Sequence, residues 1–402
     1  MIALRAGLAF RRDPLRFLSS LDDDGEILRF RVGLTDFTLV KSPETIRRIL
    51  VTDAAQYGEG KWTLRGERVM RDCLITRDGD PHQERRALLQ PAFERRRLAG
   101  EAQRLVEPAE RTAARWRDGQ TVDARAEMSR LALAAAAEAL FSLDFESEAG
   151  ALVPALTTML NEIPRPGLPW PAGRGLARAR RTVDEAVRRA VAERRNGGAR
   201  RDDALSLLLD LDDAEVTDEI VSLLMAAVDT TPGALAWTWY LLARHPDVEA
   251  RVHEELDDVL DGESPTADDI ARLEYLDLVL AEVLRLYPPV HFIDRRPLVD
   301  VELDGTHVAA GSFLLISPLI THRDPRFYDE PAAFRPERER PRSAYFPFGA
   351  GPHTCIGMAL ARMELSFAVA TLAQRWVMRA APDFPSDPSP QTLVFPMQLV
   401  RR

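Results

Sequence analysis

Residues 217–244 contain a stretch that is apolar on every side of a helix, with Val221-Ser222-Leu223-Leu224-Met225-Ala226-Ala227-Val228-Asp229-Thr230-Thr231-Pro232-Gly233 at its centre. A helix without a polar face has to be buried, so the rest of the chain must be built around it. Two residues break the pattern. Asp229 is costly to bury without a partner, so it is either paired or functional. Pro232 has no N–H and clashes with the carbonyl four residues back. The Val228 carbonyl therefore loses its helical partner, and a kink is expected beside Asp229 and Thr230. A freed carbonyl, a carboxylate and a hydroxyl in one place can hold water and relay protons.

The surroundings are long enough to bury such a helix: 402 residues, 46% hydrophobic, read as one domain over 1–402, mainly α with a small β-rich region. The formal charge of -10 argues against general polyanion binding, so no nucleic-acid partner is expected. Cys73 and Cys355 form no C-x-x-C pair and no disulfide framework, as in a reducing compartment. The apolar run at the amino terminus is too short and interrupted to span a bilayer, so no membrane anchor is expected and a cytoplasmic monomer is the default.

Along the chain, alternation over 25–40 predicts a β-hairpin, and Ser42-Pro43-Glu44 an N-cap and first helical turn. Residues 57–79 read as a long irregular loop with short helical pieces, of the kind that often carries function. The span 97–195 is predominantly helical, with a buried Ala- and Leu-rich helix over 128–143. Prolines at 164, 166, 169 and 171 interrupt it and predict a mobile lid over a pocket. An Arg-rich helix over 174–195, stopped by Asn196-Gly197-Gly198, is expected to present a solvated basic face. Short strands are expected over 299–303, 306–308, 313–316 and near 392–400.

The chemistry gathers at Phe346-Pro347-Phe348-Gly349-Ala350-Gly351-Pro352-His353-Thr354-Cys355-Ile356-Gly357, which leads into another apolar helix. The glycines and proline favour a tight loop, and Gly357 leaves room beside the sulfur. A Cys355 thiolate facing helical N–H groups is expected to have a lowered pKa and suits an axial ligand to haem iron; a buried structural thiol is the bland alternative.

Phe348, Gly351, His353, Cys355 and Gly357 stand in the order Phe-x-x-Gly-x-His-x-Cys-x-Gly, which resembles the haem-binding signature of the cytochrome P-450 family. Four further segments resemble that family in the same order. His82 and Arg86, four apart, look like its His-x-x-x-Arg helix, whose side chains reach a haem propionate. Ala226-Ala227-Val228-Asp229-Thr230-Thr231 is similar to the oxygen-activation motif, with Ala227 where glycine is usual. Glu282 and Arg285 match the Glu-x-x-Arg helix, and Arg338 its later Pro-Glu-Arg segment, which implies a buried network of the three. Arg295 lines up with the second propionate-binding arginine, with neighbouring Arg296 one residue out of register.

The resemblance implies haem b, iron protoporphyrin IX, ligated by Cys355 and lying between the 217–244 helix and the helix after the loop. His82, Arg86, Arg295 and His353 would hold its propionates. Asp229 would feed protons, and Thr230 would hydrogen-bond dioxygen and steady water near the Ala226 carbonyl. The implied reaction inserts one atom of O2 into a C–H bond of a lipophilic small molecule of terpenoid, fatty acid or polyketide type. Electrons would come from an external donor such as a ferredoxin or flavodoxin with its reductase. A peroxide-using enzyme of the same fold, or a non-catalytic haem-binding sensor, are the alternatives. Residues 57–79, 159–170, 224–228, 290–293 and 394–397 are expected to line the pocket.

Overall fold

A computed structural model of the chain describes residues 9–10, 13–19, 25–32, 35–163, 173–198, 200–386 and 388–402. Helices dominate and the strands form small sheets, the mainly α architecture with a small β-rich region that the pattern predicts. Five helices place the site: α1 (Gly79–Leu89), α2 (Ala124–Phe141), α3 (Asp213–Arg244), α4 (Glu274–Leu286) and α5 (Met358–Ala373).

The central helix α3 starts four residues earlier than its apolar pattern, because Asp212 caps it by accepting from the Glu215 N–H. It is long and apolar enough to cross a membrane, but 78% of its most apolar window is buried inside the protein. Its most extensive neighbour is α2, whose alanine-rich surface lets two helices pack closely. The helix runs on through Pro232 to Arg244, although Pro232 has no N–H to give the Val228 carbonyl.

The principal sheet has the order β1-β2-β5-β4-β3, built from β1 (Ile27–Val32), β2 (Thr35–Val40), β3 (Tyr57–Glu59), β4 (Ile293–Pro297) and β5 (Phe313–Ile316). The predicted hairpin is β1–β2, with Ile27 opposite Val40. Strand β4 has no apolar alternation to announce it, since it reads Ile-Asp-Arg-Arg-Pro, and β3 is only three residues long. Their pairing sets Glu59 opposite Arg295 and Gly58 opposite Arg296, so the two arginines point to opposite faces. Elsewhere the expected strands begin later, at Val301 and at Pro396, the latter pairing with Thr121–Asp123 and Trp376–Ala380.

Between β3 and α1, two short helices, Lys61–Arg65 and Glu67–Met70, stand in the irregular region as predicted. The proline-rich segment expected to be a lid lies outside the described residues. The helix Arg174–Gly197 ends at Gly198 in the left-handed region, but its basic residues do not form a wholly solvated face. Arg180 is buried against Asp184, Asp218 and the Val69 carbonyl, and Arg194 against Asp203 and the Phe141 carbonyl. These arginines fasten the helix to its neighbours, because burying a guanidinium requires acceptors on several sides.

On α4, Glu282 and Arg285 are wholly buried and paired at 2.8 Å, and Arg338 Nε reaches Glu282 at 3.1 Å. Arg340 and the Arg335 N–H add further donors to Glu282, while Arg285 also donates to the His322, Pro331 and Ala333 carbonyls. This network ties α4 to the chain that leads into the cysteine loop.

Candidate active site

The cysteine loop is shaped by contacts that its own sequence only half announces. Gly349 and Gly351 both adopt positive φ, +70° and +72°. At Gly351 a Cβ would stand 1.7 Å from the Leu50 carbonyl oxygen, so the loop backbone lies directly on the turn Arg48–Thr52. Two hydrogen bonds fix its ends: the Phe346 N–H donates to His322 Nε2 at 3.0 Å, and the Cys355 N–H to the Phe348 carbonyl at 2.9 Å. Burial drives His322 down to about 3, which keeps that ring nitrogen an acceptor.

Cys355 thus stands just before α5 and faces an internal cavity of about 390 Å³. Its thiol pKa is raised, contrary to the expectation of a lowered one. Burial outweighs the Gly357 backbone hydrogen bond and the nearby Arg86 charge, which both pull the other way. A coordinating metal reverses this balance, because a ligating thiol is deprotonated outright.

One rim of the cavity is cationic. His82 and Arg86 rise from one face of α1, and Arg86 donates to the Thr354 carbonyl at 2.7 Å. His82 stacks on His353 with ring centroids 4.1 Å apart, and its pKa falls to about 4, first through burial and then through His353. Arg295 lines the same cavity, whereas Arg296 turns away to Asp78 at 2.6 Å, which settles which of the two faces the site. One residue here escaped the sequence reading. Glu59 joins Arg295 at 3.0 Å and His353 at 2.7 Å, and no motif or spacing marks it.

The opposite wall is α3, presenting Leu223, Ala226, Ala227, Thr230 and Thr231. Thr230 Oγ1 donates to the Ala226 carbonyl at 2.8 Å. Asp229 is paired: Arg125 of α2 reaches its carboxylate at 2.6 Å, and the Asp229 side chain keeps 46% of its exposure. The carbonyl freed by Pro232 faces the neighbouring helix, where Ser129 Oγ lies 3.5 Å from Val228 O while donating to the Arg125 carbonyl at 2.9 Å. The expected cluster of freed carbonyl, carboxylate and hydroxyl is therefore split, with Val228 turned to α2 and Thr230 toward the cavity. Beneath, α5 contributes Leu360, Ala361 and Glu364. Glu364 is fully buried and its pKa is pushed up to about 8.

A second cavity of about 610 Å³ adjoins the first, and Thr63, Ile75, Pro289, Phe292 and Asp294 line both. Its walls follow the expected segments in part: Met70 and Ile75 from the irregular region, Leu160 and Ile163, and the 290–293 stretch. The carboxy-terminal contribution differs. Pro390–Leu393 reach the cavity, whereas Phe395 and Met397 are buried in the core, because the turn before the last strand approaches the chamber and the strand itself joins a sheet. Arg125, Asp229 and His291 make one part of this chamber polar.

A haem requires a soft axial donor, flat apolar walls on two sides and cations for two carboxylates. The smaller cavity supplies each: the Cys355 sulfur, walls of α3 and of Phe348, Ile356 and Leu360, and the His82–Arg86–Arg295–His353 rim. A Cβ on Gly357 would stand 3.8 Å from the Cys355 sulfur and 3.9 Å from Phe93.

The model of the cytochrome P-450 family matches residues 7–400. Pentalenene oxygenase of Streptomyces avermitilis is 33% identical over 396 residues, covering 92% of this chain and 88% of that protein. Cyclooctat-9-en-7-ol 5-monooxygenase of Streptomyces melanosporofaciens is 34% identical over 406 residues, covering 93% and 87%. Among solved structures, retinoic acid-bound cyanobacterial CYP120A1 superposes with a TM-score of 0.83 at 25% identity, covering 96% of each chain. The chain belongs to the cytochrome P-450 family and is a haem-thiolate monooxygenase, an oxidoreductase.

Proposed function

We propose that this monooxygenase oxygenates a cyclic terpenoid, inserting one atom of O2 into a C–H bond, with haem b as its cofactor. The observation that carries the reading is the shared wall of the two cavities: a molecule in the 610 Å³ chamber lies against the space over the Cys355 sulfur. The chamber is roomy, and Phe10, Met70, Ile75, Leu160, Trp237 and Phe292 offer apolar surface to a lipophilic molecule. Relatives that act on cyclic terpenoids support the choice over a fatty acid or polyketide.

When bound, the haem supplies dioxygen activation at its iron, with the cysteine sulfur donating electron density that favours O–O cleavage. The residues of the chain do the rest. Cys355 would hold the iron. His82, Arg86, Arg295 and His353 would donate to the propionates in charge-assisted hydrogen bonds. Thr230, which donates to the Ala226 carbonyl, would swing that hydroxyl to dioxygen, and Asp229 would pass protons inward from its half-exposed position. The apolar walls exclude water from the reacting C–H bond. Electrons arrive from a ferredoxin or flavodoxin with its reductase, in the cytoplasm.

The test has two arms. Reduced protein with carbon monoxide is expected to give the red-shifted thiolate-haem Soret band, lost in Cys355→Ala; an ordinary haem spectrum would refute the cofactor. Titration with cyclic sesquiterpenes and diterpenes, and with fatty acids and macrolides, is then followed by the haem spin-state change. A shift and oxygenated product with terpenoids are expected. Response to fatty acids or macrolides alone would refute the substrate class.

A further inference from the structure

We infer that Glu59 is a cofactor-positioning residue: its carboxylate bridges Arg295 and His353 and aims both toward the haem propionates. The fold places it there by strand register. Glu59 ends β3 directly opposite Arg295 of β4, so both side chains leave the sheet on the same face. On the other face the next pair along is Gly58 and Arg296, where Arg296 binds Asp78 and a Cβ on Gly58 would crowd that pair at 2.6 Å. Each arginine of β4 thus has its own carboxylate. Asp78 also receives the Glu59 N–H at 3.2 Å, which pins the backbone of the bridging residue.

The carboxylate divides its two oxygens. Oε2 accepts from Arg295 Nη1 at 3.0 Å and Oε1 meets His353 Nδ1 at 2.7 Å. Arg295 Nη1 is also the nitrogen that donates to the Asp294 carbonyl, so the rest of the guanidinium has no protein acceptor among the described residues. His353 likewise keeps its second ring nitrogen. Glu59, His82, Arg86, Arg295 and His353 all line the smaller cavity, and Glu59 is only 6% exposed. A buried negative charge beside the seat of a dianion is unfavourable by itself. It is explained if Glu59 grips Arg295 and His353 by one nitrogen each and leaves their other nitrogens pointing at the propionates, as outer carboxylates orient the histidines of metal sites. It also ties β3 to the cysteine loop, so that the loop and the sheet present His353 and Arg295 in register.

The inference rests on the haem-thiolate assignment, which the wild-type spectrum tests separately. Haem release from the holoprotein to excess apomyoglobin is measured for wild type, Glu59→Gln and Glu59→Asp. Release is expected to be on the order of tenfold faster in Glu59→Gln. Glu59→Asp, which keeps the charge but cannot span both partners, is expected to fall between, and it carries the comparison if Glu59→Gln does not fold. The same proteins are then reconstituted with haem dimethyl ester, whose propionates are blocked. There the difference from wild type is expected to vanish. Release at the wild-type rate, or slower, would overturn the inference, the slower rate marking Glu59 as a competitor of the propionates. A difference that persists with the ester would overturn it too, by showing a purely structural role.

Discussion

Arg125 crosses α3 at Gly233 and places Nη2 2.6 Å from the Asp229 carboxylate, with a second contact to the Asp229 carbonyl at 3.3 Å. The crossing depends on the glycine, because a Cβ on Gly233 would stand 2.9 Å from Arg125 Nη1. A pair with a half-exposed carboxylate is well screened, so its coupling is expected to be no more than about 1 kcal/mol. A double-mutant cycle of Arg125→Leu and Asp229→Asn by urea unfolding reads that number. In turnover the two variants are expected to part. If Asp229 carries protons as proposed, Asp229→Asn is expected to slow product formation about a hundredfold or more, whereas Arg125→Leu leaves the carboxylate in place and is expected to cost far less. Equal losses would show that the ion pair, and not the carboxylate, is what matters.

Gly351→Ala is expected to damage the site more than Gly357→Ala. The first forces a Cβ to 1.7 Å from the Leu50 carbonyl at a positive φ, so the loop must lift off the Arg48–Thr52 turn and carry Cys355 with it. The second meets only van der Waals contacts in the protein, 3.8 Å to the Cys355 sulfur. Urea unfolding should show Gly351→Ala weakened by roughly 1–3 kcal/mol and Gly357→Ala close to wild type. With the haem present, Gly357→Ala is expected to show its defect in the carbon monoxide spectrum instead. A wild-type midpoint for Gly351→Ala would mean that the turn gives way without strain.

Two Glu-x-x-Arg pairs should respond very differently to truncation. Glu282 is wholly buried and serves Arg285, Arg338, Arg340 and the Arg335 N–H, so Glu282→Ala strands several cations and is expected to cost about 3–5 kcal/mol. Glu101, partly exposed and paired with Arg104 at 3.0 Å, strands no buried cluster of cations when removed and is expected to cost about 1 kcal/mol or less. Chemical denaturation of both variants checks the contrast, and similar losses would contradict the buried network.

What the sequence disclosed were features that are local along the chain. The cysteine loop is dense in glycine and proline, His82 and Arg86 are one helical turn apart, and Glu282 stands three residues from Arg285. The residues it did not disclose act across distance. Glu59 meets Arg295 over 236 residues through a strand pair with no apolar alternation. Arg125 and Ser129 reach Asp229 and Val228 from another helix, and the Leu50 carbonyl explains Gly351 from three hundred residues away. The reversed direction of the Cys355 pKa has the same origin. The helical N–H groups were legible, whereas the burial that outweighs them is a property of the assembled cavity. Likewise, Pro232 announced a freed carbonyl, but only the packing of α2 shows that this carbonyl faces Ser129 of another helix.

Glu364 gives the protein a pH dependence that can be read in its stability. It lies on α5, fully buried at the floor of the cavity, and burial pushes its pKa from 4.5 to about 8, with a Thr231 hydrogen bond offsetting only part of the rise. It is therefore neutral in the folded protein at pH 7 and ionised in the unfolded chain. The folded state binds the extra proton, so its stability is full below about pH 4.5 and falls as pH rises toward 8. Glu364→Gln keeps the shape and removes the titration. The difference in urea midpoint between variant and wild type is expected to grow in favour of the variant from pH 5 to pH 8 and to level off above it. Parallel profiles over that window would show that Glu364 ionises in the folded protein as it does in water, and that water or a cation reaches the floor of the cavity.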